Sequence, residues 1–316
     1  MLARLCGTGD GLRTQRTPAG ECGVKPGAVI IGNPHSGSAG DEGYLEGFAD
    51  TLRAGGLTVE VLNTERPDHA TQLAAAAGAR LVIAAGGDGT VNEVVNGLSK
   101  DATLGILPLG TANVLARELG LPLEPADACG KILTGKAFRM DVGVATDGEG
   151  TERRFACMAG IGFDADVVRE VGPRLKRYLR SLAFPLVAFK VYLRGGRPEL
   201  HIKDGDTTHA VQYAIVANGQ YYGGDFETAE HASLTSGELQ IVLVDKVGHL
   251  ARPDVLAHIL AKKPLDRTMR SFASSGVRAE SPDGRGEGVP VQVDGEVWGH
   301  LPMSFRIEPA ALAVIR

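Results

Sequence analysis

Leu81-Val-Ile-Ala-Ala-Gly-Gly-Asp-Gly-Thr90, continued by Val91-Asn92-Glu93-Val94-Val95-Asn96-Gly97-Leu98, decides the fold. The apolar run to Ala85 has the length and composition of a buried strand, and Val91, Val94, Val95 and Leu98 recur at helical spacing. Between them lie Gly86, Gly87, Asp88, Gly89 and Thr90. A strand that turns through glycines into a helix start makes an anion site. Glycine lets a phosphate approach the backbone, and the first helix amides face it with the positive end of the dipole. Asp88 inside that turn would repel a phosphate. Its carboxylate suits a magnesium ion, held through water, or a hydroxyl about to be phosphorylated. The stretch predicts nucleotide-dependent phosphoryl transfer, with a helix over residues 90–98.

Around this centre, residues 28–144 alternate strand and helix. Strands are expected over 28–32, 58–62, 80–85 and 104–107, and helices over 43–54, 69–77, 90–98 and 114–119. Such alternation implies a parallel sheet covered by helices on both faces, with ligands at the carboxyl ends of the strands. Beyond residue 144 strand-like runs dominate, at 155–158, 199–203, 209–217, 239–244, 289–293 and 302–308. They are interrupted by helical patterns at 165–191 and 253–261. The expected architecture is α/β, a parallel-sheet nucleotide-binding domain over 28–144 and a larger, mainly antiparallel β domain over 145–311. Residues 1–27 are polar and glycine-rich and are expected to form a flexible extension.

With 316 residues, 43% hydrophobic and 22% charged, the chain has the composition of an ordinary globular protein with an ample core. Its net charge of −5 argues against a nucleic-acid binder, which carries a basic excess. Cys6, Cys22, Cys129 and Cys157 lack zinc or redox-pair spacing, so reduced thiols are expected. No apolar stretch is long enough for a transmembrane segment.

Other segments recur at strand ends. Asn33-Pro34-His35-Ser36-Gly37 follows the first strand, and Pro108-Leu109-Gly110-Thr111-Ala112-Asn113 follows the fourth. Either alone reads as a plain loop. Three polar, glycine-containing turns at one edge of a parallel sheet read as a nucleotide cleft. Asp294-Gly295-Glu296 alone reads as a hairpin turn. Residues 174–197 hold Arg174, Lys176, Arg177, Arg180, Lys190, Arg194 and Arg197 among apolar and aromatic residues, without Asp or Glu. That pattern fits a membrane-surface contact or a helix packed on the β domain with its basic face solvated.

Together these segments resemble the soluble diacylglycerol kinase-like lipid kinases, the family that includes sphingosine and ceramide kinases, and within it the bacterial diacylglycerol kinases. The resemblance rests on GGDGTVNEV at Gly86, LPLGTANVLARELG at Leu107, NPHSG at Asn33, Asp-Val-Gly at Asp141, AGIGFDADVV at Ala159, NGQYYGG at Asn218 and VDGE at Val293. It implies an NAD kinase/diacylglycerol kinase-like fold that uses ATP and Mg2+ to phosphorylate a lipid hydroxyl, with diacylglycerol the default. It further implies that residues 312–316 return to the first domain. Asn33, Pro34, His35, Ser36, Gly37, Thr64, Gly86, Gly87, Asp88, Gly89, Thr90, Val91, Asn92 and Thr111 fall where the family contacts nucleotide. Asp88 and Asp141 fall among the acidic residues of the reaction centre, and Asp294 and Glu296 match the pair from which a base is proposed. Asp88 is the rival base. A cytoplasmic protein on the inner face of a membrane is implied, with a homodimer left open.

One position departs from the family. Ser236 stands where the resemblance implies an aspartate holding a structural magnesium ion. A neutral hydroxyl is a far weaker ligand for a hard cation, so that site is in doubt, and Glu238 is the nearby carboxylate that could substitute. The competing readings are a kinase for another lipid alcohol (sphingoid base, ceramide or phosphatidylglycerol), an NAD kinase, and a silent lipid- or nucleotide-binding regulator.

Overall fold

A computed structural model of the chain describes residues 27–33, 43–163, 165–166, 199–224, 226–246, 248, 269–282 and 288–316. Its elements run β1 (Ala28–Gly32), α1 (Tyr44–Ala54), β2 (Val59–Asn63), α2 (His69–Ala76), β3 (Leu81–Gly86), α3 (Asp88–Gly97), β4 (Thr103–Pro108), α4 (Val114–Glu118), α5 (Pro125–Thr134) and β5 (Ala137–Thr146). Then follow β6 (Glu152–Phe155), β7 (Met158–Gly162), β8 (Leu200–Asp204), β9 (Thr207–Val211), β10 (Tyr213–Ala217), β11 (Tyr221–Tyr222), β12 (Phe226–Glu227) and β13 (Leu239–Val244). The last are β14 (Arg270–Ser274), β15 (Gly276–Glu280), β16 (Pro290–Val293), β17 (Glu296–His300) and β18 (Met303–Ile315).

Strands β2-β1-β3-β4 form a parallel sheet buried on both faces. Alternate side chains feed two cores. Val29, Ile31, Val82, Ala84 and Ile106 meet Ala70 and Ala74 of α2, Val91, Val94 and Val95 of α3, and Leu115 and Ala116 of α4. Ala28, Ile30, Ile83, Ala85 and Leu107 meet Leu45, Ala49 and Leu52 of α1 and Ala128, Cys129 and Ile132 of α5. Helix α5 is additional to the expected elements, although Pro125 in its first turn and the spacing of its apolar residues signal it.

The sheet continues past β4. Ala313 and Val314 of β18 pair parallel with Thr103 and Leu104, and β18 also runs antiparallel to β5 and β15. With β6 paired to β5, and through β15, β8 and β9, the sheet reaches ten strands. A second sheet, β14-β13-β10-β7-β16-β17, is antiparallel and packs on the first through Phe155, Ile161, Val216, Ile241 and Phe305. Strands β11 and β12 form a separate ribbon. The run 209–217, expected as one strand, is two: β9 belongs to the first sheet and β10 to the second. The chain changes sheets at Gln212, whose amide donates to the Val244 carbonyl. Residues 155–158, also expected as a strand, are likewise a crossing, from β6 to β7.

Among the described residues no helix is long and apolar enough to cross a membrane. The extension before Gly27, the helical patterns beyond residue 166 and at 253–261, and the basic segment 174–197 lie outside the described residues.

Candidate active site

The carboxyl ends of β1 to β4 bring the expected turns to one edge. The Thr64 amide donates to Gly32 O at 2.8 Å, the Asn33 amide to Ala85 O at 3.4 Å, and the Leu109 amide to Gly86 O at 2.9 Å. Pro34, His35, Ser36 and Gly37 lie outside the described residues. Thr111 is exposed on this edge. The turns after β3 and β4 touch backbone to backbone: a Cβ on Gly110 would stand 2.5 Å from Gly87 Cα. One on Gly86 would stand 2.4 Å from Thr90 Oγ1, so these glycines are required by close approach.

Helix α3 starts at Asp88, two residues before the expected Thr90, because extended Gly87 is its N-cap. Thr90 and Asn92 are therefore buried, and Val91 packs into the core. Asp88 sits in the first turn of α3 and caps the next helix. Its Oδ1 accepts the Val114 amide at 2.6 Å and its Oδ2 the Asn113 amide at 3.1 Å. Burial pushes its carboxyl above the ordinary range, the Val114 amide opposes that, and the Asp294 charge adds to it. These two bonds leave acceptor capacity on both oxygens, which fits a hydrated magnesium ion.

Asp294, at φ 46°, occupies the left-handed region at the turn between β16 and β17. Its Oδ1 accepts the amides of Cys157 at 3.0 Å and Met158 at 2.9 Å. Its Oδ2 accepts the Ala156 amide at 2.7 Å and Asn92 Nδ2 at 2.9 Å. Four donors fill the acceptor capacity of a carboxylate. Burial still raises its pKa, with the amides pulling the other way. Asp294 thus ties α3 to the crossing between β6 and β7.

Glu296 lies over the start of α3, with Oε1 2.9 Å from where a Cβ on Gly89 would be. Its Oε2 accepts Arg153 Nη2 at 2.6 Å, and the same nitrogen donates to Asn92 Oδ1 at 2.9 Å. Burial raises the Glu296 carboxyl and Arg153 holds it down. Arg153 carries no signal of its own in the sequence, since it lies in no motif and just before the strand expected over 155–158. Asn96 completes the joint, donating to Arg154 O at 3.0 Å and accepting the Arg154 amide at 2.8 Å.

Asp141 has other partners. It is buried, and its carboxylate accepts the amides of Gly237 and Ala310, both at 2.7 Å. It holds the loop before β13 against the irregularity in β18. In that loop the Ser236 hydroxyl lies 3.1 Å from Ser233 O and 3.0 Å from Glu238 O and accepts the Glu238 amide at 3.2 Å. A hydroxyl occupied in closing its own turn does not fit a structural magnesium site. Among the described residues no three or more His, Cys, Asp or Glu side chains are grouped to hold a metal ion.

Residues 27–145 match the diacylglycerol kinase catalytic domain, and residues 157–316 match the YegS C-terminal NAD kinase beta sandwich-like domain. A protein of Chromohalobacter salexigens named "Probable lipid kinase YegS-like" is 33% identical over 251 residues, covering 76% of this chain and 77% of its own. The diacylglycerol kinase of Bacillus subtilis (strain 168) is 30% identical over 289 residues, covering 88% of this chain and 92% of its own. A crystal structure from Bacillus anthracis str. Sterne superposes with a TM-score of 0.74 at 23% identity, over 94% of this chain and 97% of that one. The last likeness shows a shared fold.

Proposed function

We propose that this chain, which belongs to the diacylglycerol kinase family of lipid kinases, transfers the γ-phosphoryl group of ATP to the hydroxyl of diacylglycerol, giving phosphatidic acid. The observation that carries the reading is that Asp88 opens α3 while Glu296, paired with Arg153, lies over the next residue, Gly89, beside two glycine turns in backbone contact. Phosphoryl transfer needs positioning and charge neutralisation more than covalent chemistry, and this group of residues offers both.

The first amides of α3 and the turn at Gly86 and Gly87 receive the nucleotide phosphates, with Asn33, Thr64 and Thr111 on the same edge. Magnesium bound with ATP supplies charge neutralisation, and Asp88 is the carboxylate that would hold it through water. The proton of the acceptor hydroxyl passes to Asp88, whose spare acceptor capacity suits it better than the four-bonded Asp294. Asp294 positions α3 and the β domain. Arg153, whose Nη1 makes no hydrogen bond among the described residues, faces the transferring group with positive charge. The acceptor lives in a bilayer, so the protein works peripherally at the cytoplasmic face, with the segment 174–197 as its contact.

Relatives named diacylglycerol kinase and YegS-like lipid kinase both support a lipid acceptor, and they keep other lipid alcohols as the second reading. Incubation with labelled ATP, magnesium and mixed lipid micelles, with NAD in a parallel tube, separates them by mass spectrometry. Phosphatidic acid is the expected product. A different phosphorylated lipid replaces the acceptor, and phosphorylated NAD alone overturns the proposal.

A further inference from the structure

We propose that Glu118 is a positioning residue that fixes the segment 220–222 and its ribbon relative to the Asp88 turn. The inference rests on the kinase reading above.

Helix α4 is only five residues long and is held by a carboxylate at each end. At its start, Asp88 accepts the Asn113 and Val114 amides. At its end, Glu118 Oε2 accepts the amides of Gln220 at 2.9 Å and Tyr221 at 3.0 Å. The fit is close, since a Cβ on Gly219 would stand 2.9 Å from Glu118 Cδ. Glu118 is half-buried, and withdrawing a carboxylate from water is costly unless hydrogen bonds repay it; a helix needing only packing here would be better served by an apolar residue. Leu115, Ala116 and Leu119 already supply that packing.

The segment that Glu118 grips is itself a junction. The amides of Asn218 and Gly219 donate to Cys157 O at 2.8 and 3.0 Å. The Cys157 amide donates to Asp294, which Asn92 ties back to α3, the helix that Asp88 opens. The links close a ring: Asp88, α4, Glu118, Gln220, Cys157, Asp294, Asn92 and α3. Gln220 also anchors the ribbon of β11 and β12, accepting the Thr228 amide at 2.8 Å and donating from Nε2 to Glu230 O and Ala232 O. That ribbon carries half-buried Tyr221, Tyr222 and Phe226. Its distance from Asp88 is set on one side of the ring by Asp294 and on the other by the bonds from Glu118 to the Gln220 and Tyr221 amides. Asp294 also fixes α3, so Glu118 is where the ribbon can be released without disturbing the nucleotide edge.

The test compares Glu118→Ala, Glu118→Gln and Gly219→Ala. Hydrogen exchange of residues 218–222 is followed with and without ATP and magnesium, and KM is measured separately for ATP and for the lipid acceptor. In the wild type, nucleotide slows exchange in this segment. In Glu118→Ala exchange rises about tenfold and no longer responds to nucleotide. Lipid KM rises roughly tenfold while ATP KM stays within about twofold. Glu118→Gln recovers most of both, because the Gln carbonyl can accept the same two amides, and Gly219→Ala reproduces the defect from the opposite side. Unchanged exchange and lipid KM in Glu118→Ala, a parallel rise in ATP KM, or no recovery with Gln overturns the proposal. A wild type that phosphorylates no lipid removes the kinase reading instead, and the exchange measurements still decide the role of Glu118.

Discussion

The side-chain amide of Asn92 donates to the Asp294 carboxylate at 2.9 Å, although the two residues lie 202 positions apart in the chain. One stands on the helix that opens with the glycine turn, the other at a β hairpin of the second half. Their bond joins the nucleotide edge to the β domain, and the arrangement of Arg153, Glu296 and Cys157 follows from it.

Asp294→Asn keeps one acceptor oxygen and turns the other into a donor, so one of the two pairs it holds, the Cys157 and Met158 amides or the Ala156 amide and Asn92 Nδ2, loses its acceptor. Leaving two buried donors short of partners costs on the order of 3 kcal/mol. Asn92→Ala costs less. A double-mutant cycle on denaturant stability is expected to give a coupling of about 1–3 kcal/mol. Strict additivity of the two changes would show that the joint contributes nothing.

Arg153→Ala removes a charge-assisted pair with Glu296 and the support of Asn92. A loss of roughly 2 kcal/mol in the transition state lowers kcat about thirtyfold. Arg153→Lys recovers only part of this, because an ammonium cannot serve both acceptors with one planar fork. Steady-state kinetics read the effect. A full kcat with a lowered Tm would reduce Arg153 to a structural role.

The acid limb of kcat/KM is expected above about pH 4, the ordinary carboxylate value, because burial raises Asp88 and Glu296. A group with a raised folded pKa binds more protons folded than unfolded. Its stabilising contribution is complete below the unfolded pKa and is lost as pH rises through the folded one. The stability of the wild type relative to Asp88→Asn therefore falls as pH rises across that window. Since the Asp294 charge helps to raise Asp88, Asp294→Asn moves the acid limb to lower pH. A limb that stays in place would sink this account.

The Ser236 hydroxyl is engaged with the Ser233 and Glu238 carbonyls and the Glu238 amide, so the Tm of the nucleotide-free wild type should be the same in magnesium and in chelator. Ser236→Asp places a carboxylate beside the Ser233 and Glu238 carbonyls. Magnesium should then raise Tm by selective binding to the folded state. An equal magnesium shift in the wild type would mean that oxygen ligands survive there despite the serine.

The sequence alone determined the parallel half of the fold. The apolar runs of β1, β3 and β4, the helical spacing of Val91, Val94 and Val95, and the glycine turns are local patterns, each imposed within a few residues by backbone sterics and by burial of alternate side chains. They were enough to place Asn33, Asp88 and Thr111 on one edge, where Thr64, which only the family resemblance singled out, also lies. Only the tertiary structure decided the rest. The passage from β9 to β10 has no strong turn signal at Gln212, and the two strands part because their partners in different sheets differ. Asp88 caps a helix 26 residues away, Glu118 holds amides 102 and 103 residues away, and Asp141 holds a loop 96 residues away. A carboxylate becomes an anchor when buried amides converge on it, and that convergence is a property of packed elements, to which no local spacing in the chain corresponds.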